Sequence, residues 1–133
     1  MKKKVLILCT GNSCRSQMAE GVLRHFRGHD LEVFSAGTKP SHVNPIAIKV
    51  MKEISIDISG QRSKSVNEFK GQKFDYVITV CDNAKESCPV FPGGTKVMHW
   101  PFPDPPHDQG DGEDVVAEFR RVRDMIYERL KAC

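Results

Sequence analysis

Residues 3–16 constrain the fold of this chain more than any other stretch. A short unbroken apolar run, Val5-Leu6-Ile7-Leu8, meets the polar loop Cys-Thr-Gly-Asn-Ser-Cys-Arg-Ser at 9–16, and a helical pattern begins near Gln17. An apolar run without polar alternation belongs to a strand covered on both faces, as in a buried parallel sheet. Residues 17–28 then set Met18, Val22, Leu23 and Phe26 at helical spacing. The alternation continues with a short strand at 32–35, closed by Ala36-Gly37. Asn44-Pro45 opens a helix with Ala47, Val50, Met51 and Ile54 on its apolar face. Strands follow at 74–81 and 96–100, and a last helix at 113–130 aligns Val115, Phe119, Val122, Ile126 and Leu130. The pattern predicts an α/β fold: one domain, residues 1–133, with a four-stranded parallel sheet and helices on both faces.

Sheets of this kind bind ligands at the carboxyl ends of their strands. Cys9 ends the first strand, Cys81 ends the third and Asp104 follows the fourth, so three chemically useful residues converge on one edge. Strand, loop and helix N-terminus form an anion trap, because loop N–H groups point inward and the helix dipole adds positive potential. The candidate loop is Thr10, Gly11, Asn12, Ser13, Cys14, Arg15 and Ser16. Arg15 supplies a planar fork for two oxygens of a tetrahedral oxyanion. Cys9 sits beneath that oxyanion, where the positive field favours the nucleophilic thiolate. Asn12 holds a left-handed turn or bonds across the loop. Ser16 caps the helix, donates to the Cys9 sulfur, or does both. Cys14 contributes its backbone N–H rather than its thiol. The rival reading makes Cys9 a buried strand end and Arg15 a surface residue. Cys-x5-Arg alone is weak evidence; its placement between strand and helix favours chemistry.

A chain of 133 residues with 39% hydrophobic content can bury a proper core. The net charge of +3 comes without a basic stripe interleaved with aromatics, which argues against nucleic acid as a partner. Lys2-Lys3-Lys4 precedes an apolar run too short for a leader, and no segment is long enough to span a membrane. A cytosolic protein is expected. Five cysteines, at 9, 14, 81, 88 and 133, then point to catalysis or redox sensing rather than structural bridges. The gaps of four and six residues within the first two pairs do not suit zinc. His25, His29, His42, His99 and His107 contain no ligand pair, so no metal is expected. Cys81 and Cys88 lie about 10 Å apart on an unbroken helix, whereas a disulfide needs Cα atoms within roughly 7 Å. They can bridge only if the segment between them refolds; otherwise Cys81 is a core residue and Cys88 an incidental thiol. Cys133 is assigned no role, His99 and Trp100 are expected to pack near the site, and Arg120, Arg121 and Arg123 read as a solvated helix face.

Taken with these residues, the chain resembles a thioredoxin-coupled arsenate reductase built on the low-molecular-weight tyrosine phosphatase fold. CTGNSCRSQMAEG at 9–21 carries the resemblance, together with Ser35-Ala36-Gly37, Asn44-Pro45, 56–59, the 81/88 cysteine pair, the stretch from His99-Trp100 to Asp104-Pro105, and residues 119–124. It covers essentially the whole chain and implies a flavodoxin-like strand order, no cofactor and a monomer. The resemblance implies that Cys9 attacks arsenate held by the loop and Arg15, while Asp104 protonates the leaving oxygen. Cys81 then attacks Cys9, arsenite leaves, and Cys88 attacks Cys81. The resulting Cys81–Cys88 disulfide is reduced by thioredoxin, each step being thiol–disulfide exchange. Phosphate and sulfate are the expected competing oxyanions. Some members of the family hold potassium behind the loop with residues matching Asn12, Glu20 and Ser35 plus an aspartate. Lys64 stands at the aspartate position, where its ammonium can replace the ion or simply face solvent. Tyrosine phosphatases of this fold usually follow the catalytic aspartate with Pro-Tyr, but here Asp104-Pro105-Pro106-His107 does so. The alternative activity is phosphate monoester hydrolysis through a Cys9 phosphocysteine. A redox sensor is a third reading, against which the intact oxyanion loop argues.

Overall fold

The computed structural model describes residues 2–81, 91–106 and 110–132. Its elements are β1 (Lys3–Cys9), α1 (Arg15–Arg27), β2 (Leu31–Gly37), α2 (Pro45–Lys52), β3 (Phe74–Thr79), β4 (Gly94–His99) and α3 (Glu113–Lys131), with a 3-10 turn at Val66–Phe69. All strand pairs are parallel, in the order β2-β1-β3-β4. This is the flavodoxin-like arrangement, with β1 at the centre between β2 and β3.

The apolar run of β1 is divided between the two faces of the sheet by strand alternation. Val5 and Ile7 join Val33 and Ile78 beneath α1, α2 and α3, whose Met18, Val22, Val50, Phe119 and Ile126 are fully buried. Leu6 and Leu8 face the other side with Val77, Phe69 and Phe91. There, among the described residues, the cover is the 3-10 turn and an aromatic cluster, Phe34, Phe69, Phe74 and Phe91, with ring centroids 5.5–5.8 Å apart. Tilted and edge-on rings at this spacing add to simple burial.

Helix boundaries follow their caps. Asn44 accepts from the Ile46 N–H at 2.8 Å, and Pro45 occupies the first helical position of α2. Helix α1 begins at Arg15, two residues before the expected start, and its N-cap is Cys14 with no side-chain capping bond. Ser16 therefore does not cap α1; its hydroxyl is drawn into the loop below. The reading of residues 120–123 as a solvated face also needs correction. Arg123 is buried and donates to the Val50 carbonyl and to Glu53, both at 2.8 Å, while Arg120 grips the same Glu53 carboxylate. The cluster ties α3 to the end of α2. Arg121, by contrast, pairs with Glu118 on the exposed side.

Candidate active site

The loop after β1 is held from outside by its carbonyls. Thr10 O accepts from Lys39 N (2.9 Å), Gly11 O from Ser63 Oγ (3.2 Å), Asn12 O from Gln17 Nε2 (3.1 Å) and Ser13 O from Asn44 N (3.1 Å). In a trans peptide the N–H of the next residue points opposite to the carbonyl, and the described chain has no cis bonds. The N–H groups of Gly11, Asn12, Ser13 and Cys14 are thereby turned the other way, toward the space the loop encloses. Asn12 N–H points at Cys9 Sγ, 3.2 Å away. Ser16 Oγ lies 2.8 Å from the same sulfur.

Asn12 is fully buried at φ 46°, a left-handed conformation that Asn tolerates better than most residues. It both holds the turn and bonds across it. Its Nδ2 donates to Ser16 Oγ (2.8 Å) and Ser35 Oγ (2.9 Å), while Oδ1 accepts from Lys64 N (2.8 Å) and Gln17 Nε2 (3.0 Å). Gly37, paired in register with Cys9, lets β2 pass against this loop. A Cβ at position 37 would come within 2.4 Å of Thr10 O and 2.9 Å of Asn12 N, both backbone atoms.

The loop encloses a cavity of about 220 Å³. Cys9, Thr10, Gly11, Ser13, Cys14 and Arg15 form its floor and walls, and Asp104 stands at its mouth. Arg15 is buried, donates to Phe102 O at 3.4 Å and lies 3.5 Å from Asp104 Oδ1. Phe102 N–H in turn bonds Val80 O at 3.2 Å, so the segment after β4 is pinned above the end of β3. Asp104 itself remains 38% exposed at its side chain, open to a leaving oxygen and to solvent. Burial pushes the Cys14 thiol up to about 12, with the Asp104 and Cys9 charges reinforcing the effect. Cys14 is therefore a neutral thiol at physiological pH, and its backbone N–H is what it offers the site.

Behind the loop, Ser35 Oγ donates to Glu20 Oε1 at 2.5 Å and Lys64 Nζ lies 3.8 Å from the same oxygen. The Lys64 side chain is 11% exposed, and its Nζ also donates to Arg62 O. Burial holds the Lys64 ammonium below the usual lysine range, an effect opposed by Glu20. The Lys64 side chain thus sits beside the carboxylate rather than facing open water. Arg24 completes the cluster, 2.7 Å from Glu20 Oε2.

Of the three residues expected at one edge of the sheet, Cys9 and Asp104 line one cavity, together with Arg15. Cys81 is fully buried just beyond β3, does not line that cavity and is disulfide-bonded, whereas Cys9 and Cys14 are free. Thr79 pairs with Leu8, and Val80 N–H continues the ladder to Leu8 O. Cys81 thus falls one residue beyond the position opposite Cys9, with a Cα separation of about 6 Å from strand spacing and rise. Cys88 and His107 lie outside the described residues. His99 and Trp100 do not line the cavity: His99 Nδ1 is 2.7 Å from Thr79 Oγ1, and Trp100 packs against Arg129. Ser41 and His42, which the sequence did not single out, do line it. Among the described residues no three His, Cys, Asp or Glu side chains gather as a metal-binding group.

The profile of the family described as low molecular weight phosphotyrosine protein phosphatase matches residues 4–133. The chain belongs to this phosphatase family. Within it, the chain is similar to an arsenate reductase of Halalkalibacterium halodurans, 48% identical over 130 residues that cover 98% of this chain and 94% of the relative. A solved arsenate reductase in a phosphate-binding state superposes with a TM-score of 0.82 at 35% identity, covering 99% of this chain and 95% of the other. A thioredoxin-dependent arsenate reductase of Corynebacterium glutamicum has a TM-score of 0.68 and 27% identity, covering 98% of this chain and 61% of its own.

Proposed function

We propose that this phosphatase-family chain reduces arsenate to arsenite. The reading rests on a free Cys9 thiol under inward-turned N–H groups and Arg15, one strand from a cysteine that forms a disulfide. Its arsenate reductase relatives support the substrate.

The Cys9 thiolate attacks As(V), forming an S–As bond, and a hydroxyl leaves as water after taking a proton from Asp104. Arg15 and the N–H groups of the loop balance the charge on the remaining oxygens. The Cys81 thiolate then attacks Cys9 Sγ. The S–As bond breaks with its electron pair going to arsenic, which leaves as arsenite, and a Cys9–Cys81 disulfide forms. The short Cα separation estimated above lies within disulfide range. Because the register sets Cys9 on the face of Val80, the Cys81 side chain must turn toward Cys9 for this bond to form. Cys88 next attacks Cys81 and Cys9 departs as thiolate, leaving Cys81–Cys88 oxidised. A dithiol of the thioredoxin class returns both to thiols, as the name of the Corynebacterium relative supports. Asn12, Ser16, Glu20, Ser35 and Lys64 hold the loop, with the Lys64 ammonium serving where some members of the family use potassium. The chain acts as a single domain and a monomer in a reducing cytoplasm, and phosphate and sulfate compete at the loop. No described helix is long and apolar enough to cross a membrane.

The test is one equivalent of arsenate added to reduced protein, followed by thiol blocking and disulfide mapping. Stoichiometric arsenite with a Cys81–Cys88 bridge is expected, and Cys88→Ser should stop after one turnover with Cys9 bonded to Cys81. No bridge, together with turnover of an aryl phosphate, would instead establish a phosphatase with two uninvolved cysteines.

A further inference from the structure

A second cavity, of about 540 Å³, lies away from the oxyanion loop and shares no residue with it. It opens between the α1 end of the helical layer and the face of the sheet that carries Val5, Ile78 and Met98. From Val5 to Cys9 is four residues of β1, about 13 Å. The floor is Val5, Leu23 and Ile78, all buried, and the walls are the half-buried Tyr76, Met98 and Trp100. Two aromatic side chains and a flexible thioether form an apolar slot of the size that takes small organic ligands.

The charged rim narrows the class of ligand. Arg27 is engaged by Asp30 through bonds of 2.7–3.2 Å, so those two charges offset each other. Lys3 is exposed, and its ammonium stands 5.7 Å from the Tyr76 ring centre. Among the described lining residues the rim therefore carries a surplus of one positive charge, Lys3, beside the Tyr76 ring. Arg129 stacks on the other aromatic wall, Trp100. We propose that this cavity binds an amphipathic organic monoanion, with its aromatic or aliphatic body against Tyr76, Met98 and Trp100 and its charge at Lys3. Binding there is independent of the oxyanion site.

The chain has one tryptophan, Trp100, and it lines this cavity, so binding can be read directly. The probe is 1-anilinonaphthalene-8-sulfonate, with uncharged N-phenyl-1-naphthylamine as its comparison. One sulfonate probe per chain is expected, with energy transfer from Trp100 and no displacement by saturating arsenate. Met98→Glu should weaken binding at least tenfold. Val97→Glu, one residue away on the opposite face of β4, should leave it unchanged. Lys3→Gln, a surface change that does not threaten folding, should weaken the sulfonate about threefold and spare the neutral probe. Displacement by arsenate, loss in Val97→Glu with retention in Met98→Glu, absence of saturable binding, or equal response of both probes to Lys3→Gln would each overturn the proposal.

Discussion

Asn12 is the residue on which the oxyanion loop most depends, and the cost of removing it can be worked from its partners. In Asn12→Ala, Ser16 keeps the Cys9 sulfur, Ser35 keeps Glu20, and Gln17 Nε2 keeps Asn12 O and Arg62 O. The Lys64 N–H loses its acceptor, Asn12 Oδ1. An orphaned, partly buried N–H costs about 1–3 kcal/mol. Alanine at φ 46° adds about 1 kcal/mol of strain that asparagine largely avoids. The sum is about 2–4 kcal/mol. Asn12→Gly creates the same orphan without the strain and should recover about 1 kcal/mol relative to alanine. Asn12→Asp retains the acceptor for Lys64 but sets a carboxylate oxygen where Nδ2 donates to two hydroxyls, close to Glu20. It should therefore fold well below wild-type stability despite its matched shape. Urea unfolding followed by Trp100 emission and far-UV circular dichroism measures all three, and arsenate titration reports the loop. An alanine variant that loses less than about 1 kcal/mol would refute the hydrogen-bond network, and equal stability of the glycine and alanine variants would refute the strain.

Two further tests address different parts of the fold. Gly37→Ala drives a methyl group into the backbone of the loop, since its Cβ would stand 2.4 Å from Thr10 O. It should cost about 1–3 kcal/mol and lower arsenate affinity at least tenfold, whereas an affinity within twofold of wild type would refute the packing argument. At the α2–α3 junction, hydrogen bonds from Arg120, and then Arg123, hold the Glu53 carboxyl at about 2, below its ordinary 4.5. The folded state binds fewer protons between those values, so the stabilisation is complete above pH 4.5 and is lost as pH falls toward 2. Glu53→Gln should be less stable by about 1 kcal/mol at pH 7, after solvent screening, and indistinguishable from wild type near pH 2. A gap that persists unchanged into acid would show that packing, rather than charge, ties these helices.

The strands and the 9–16 loop were legible because their signals are local. An unbroken apolar run, an Asn-Pro helix start and a Cys-to-Arg loop each declare themselves within ten residues. The candidate site was legible where the loop itself supplies the geometry: Cys9 and Arg15 line the cavity and Asn12 makes the turn. What the sequence left ambiguous was what holds that loop in shape. Ser63 reaches Gly11 O and Lys64 N–H reaches Asn12 Oδ1 across 52 residues of chain, and Gln61 buttresses Gln17 across 44. These are polar residues in an irregular segment, whose composition does not distinguish a buttress from a surface loop. Ser16 shows the same limit at short range. A serine ahead of a helical pattern suits a cap, a sulfur ligand or both, and only the start of α1 at Arg15 decides between them.

The same dependence on distant partners explains why Lys64 matters more than its place in the sequence suggests. Its backbone N–H fixes Asn12, its carbonyl accepts from Gly37 N, and its ammonium sits near Glu20, which also accepts from Ser35. One residue thus joins the loop after β1, the end of β2 and the carboxylate on α1. Only its charge is replaceable by an ion; the two backbone bonds are available to any residue that keeps the local path. Lys64→Met should therefore preserve the fold while leaving Glu20 with Arg24 as its remaining cationic neighbour. If the ammonium serves as the cation of this cluster, added potassium should restore to that variant arsenate affinity that it does not add to wild type. Equal responses of the two proteins to potassium would mean that Lys64 supports the loop through its backbone alone.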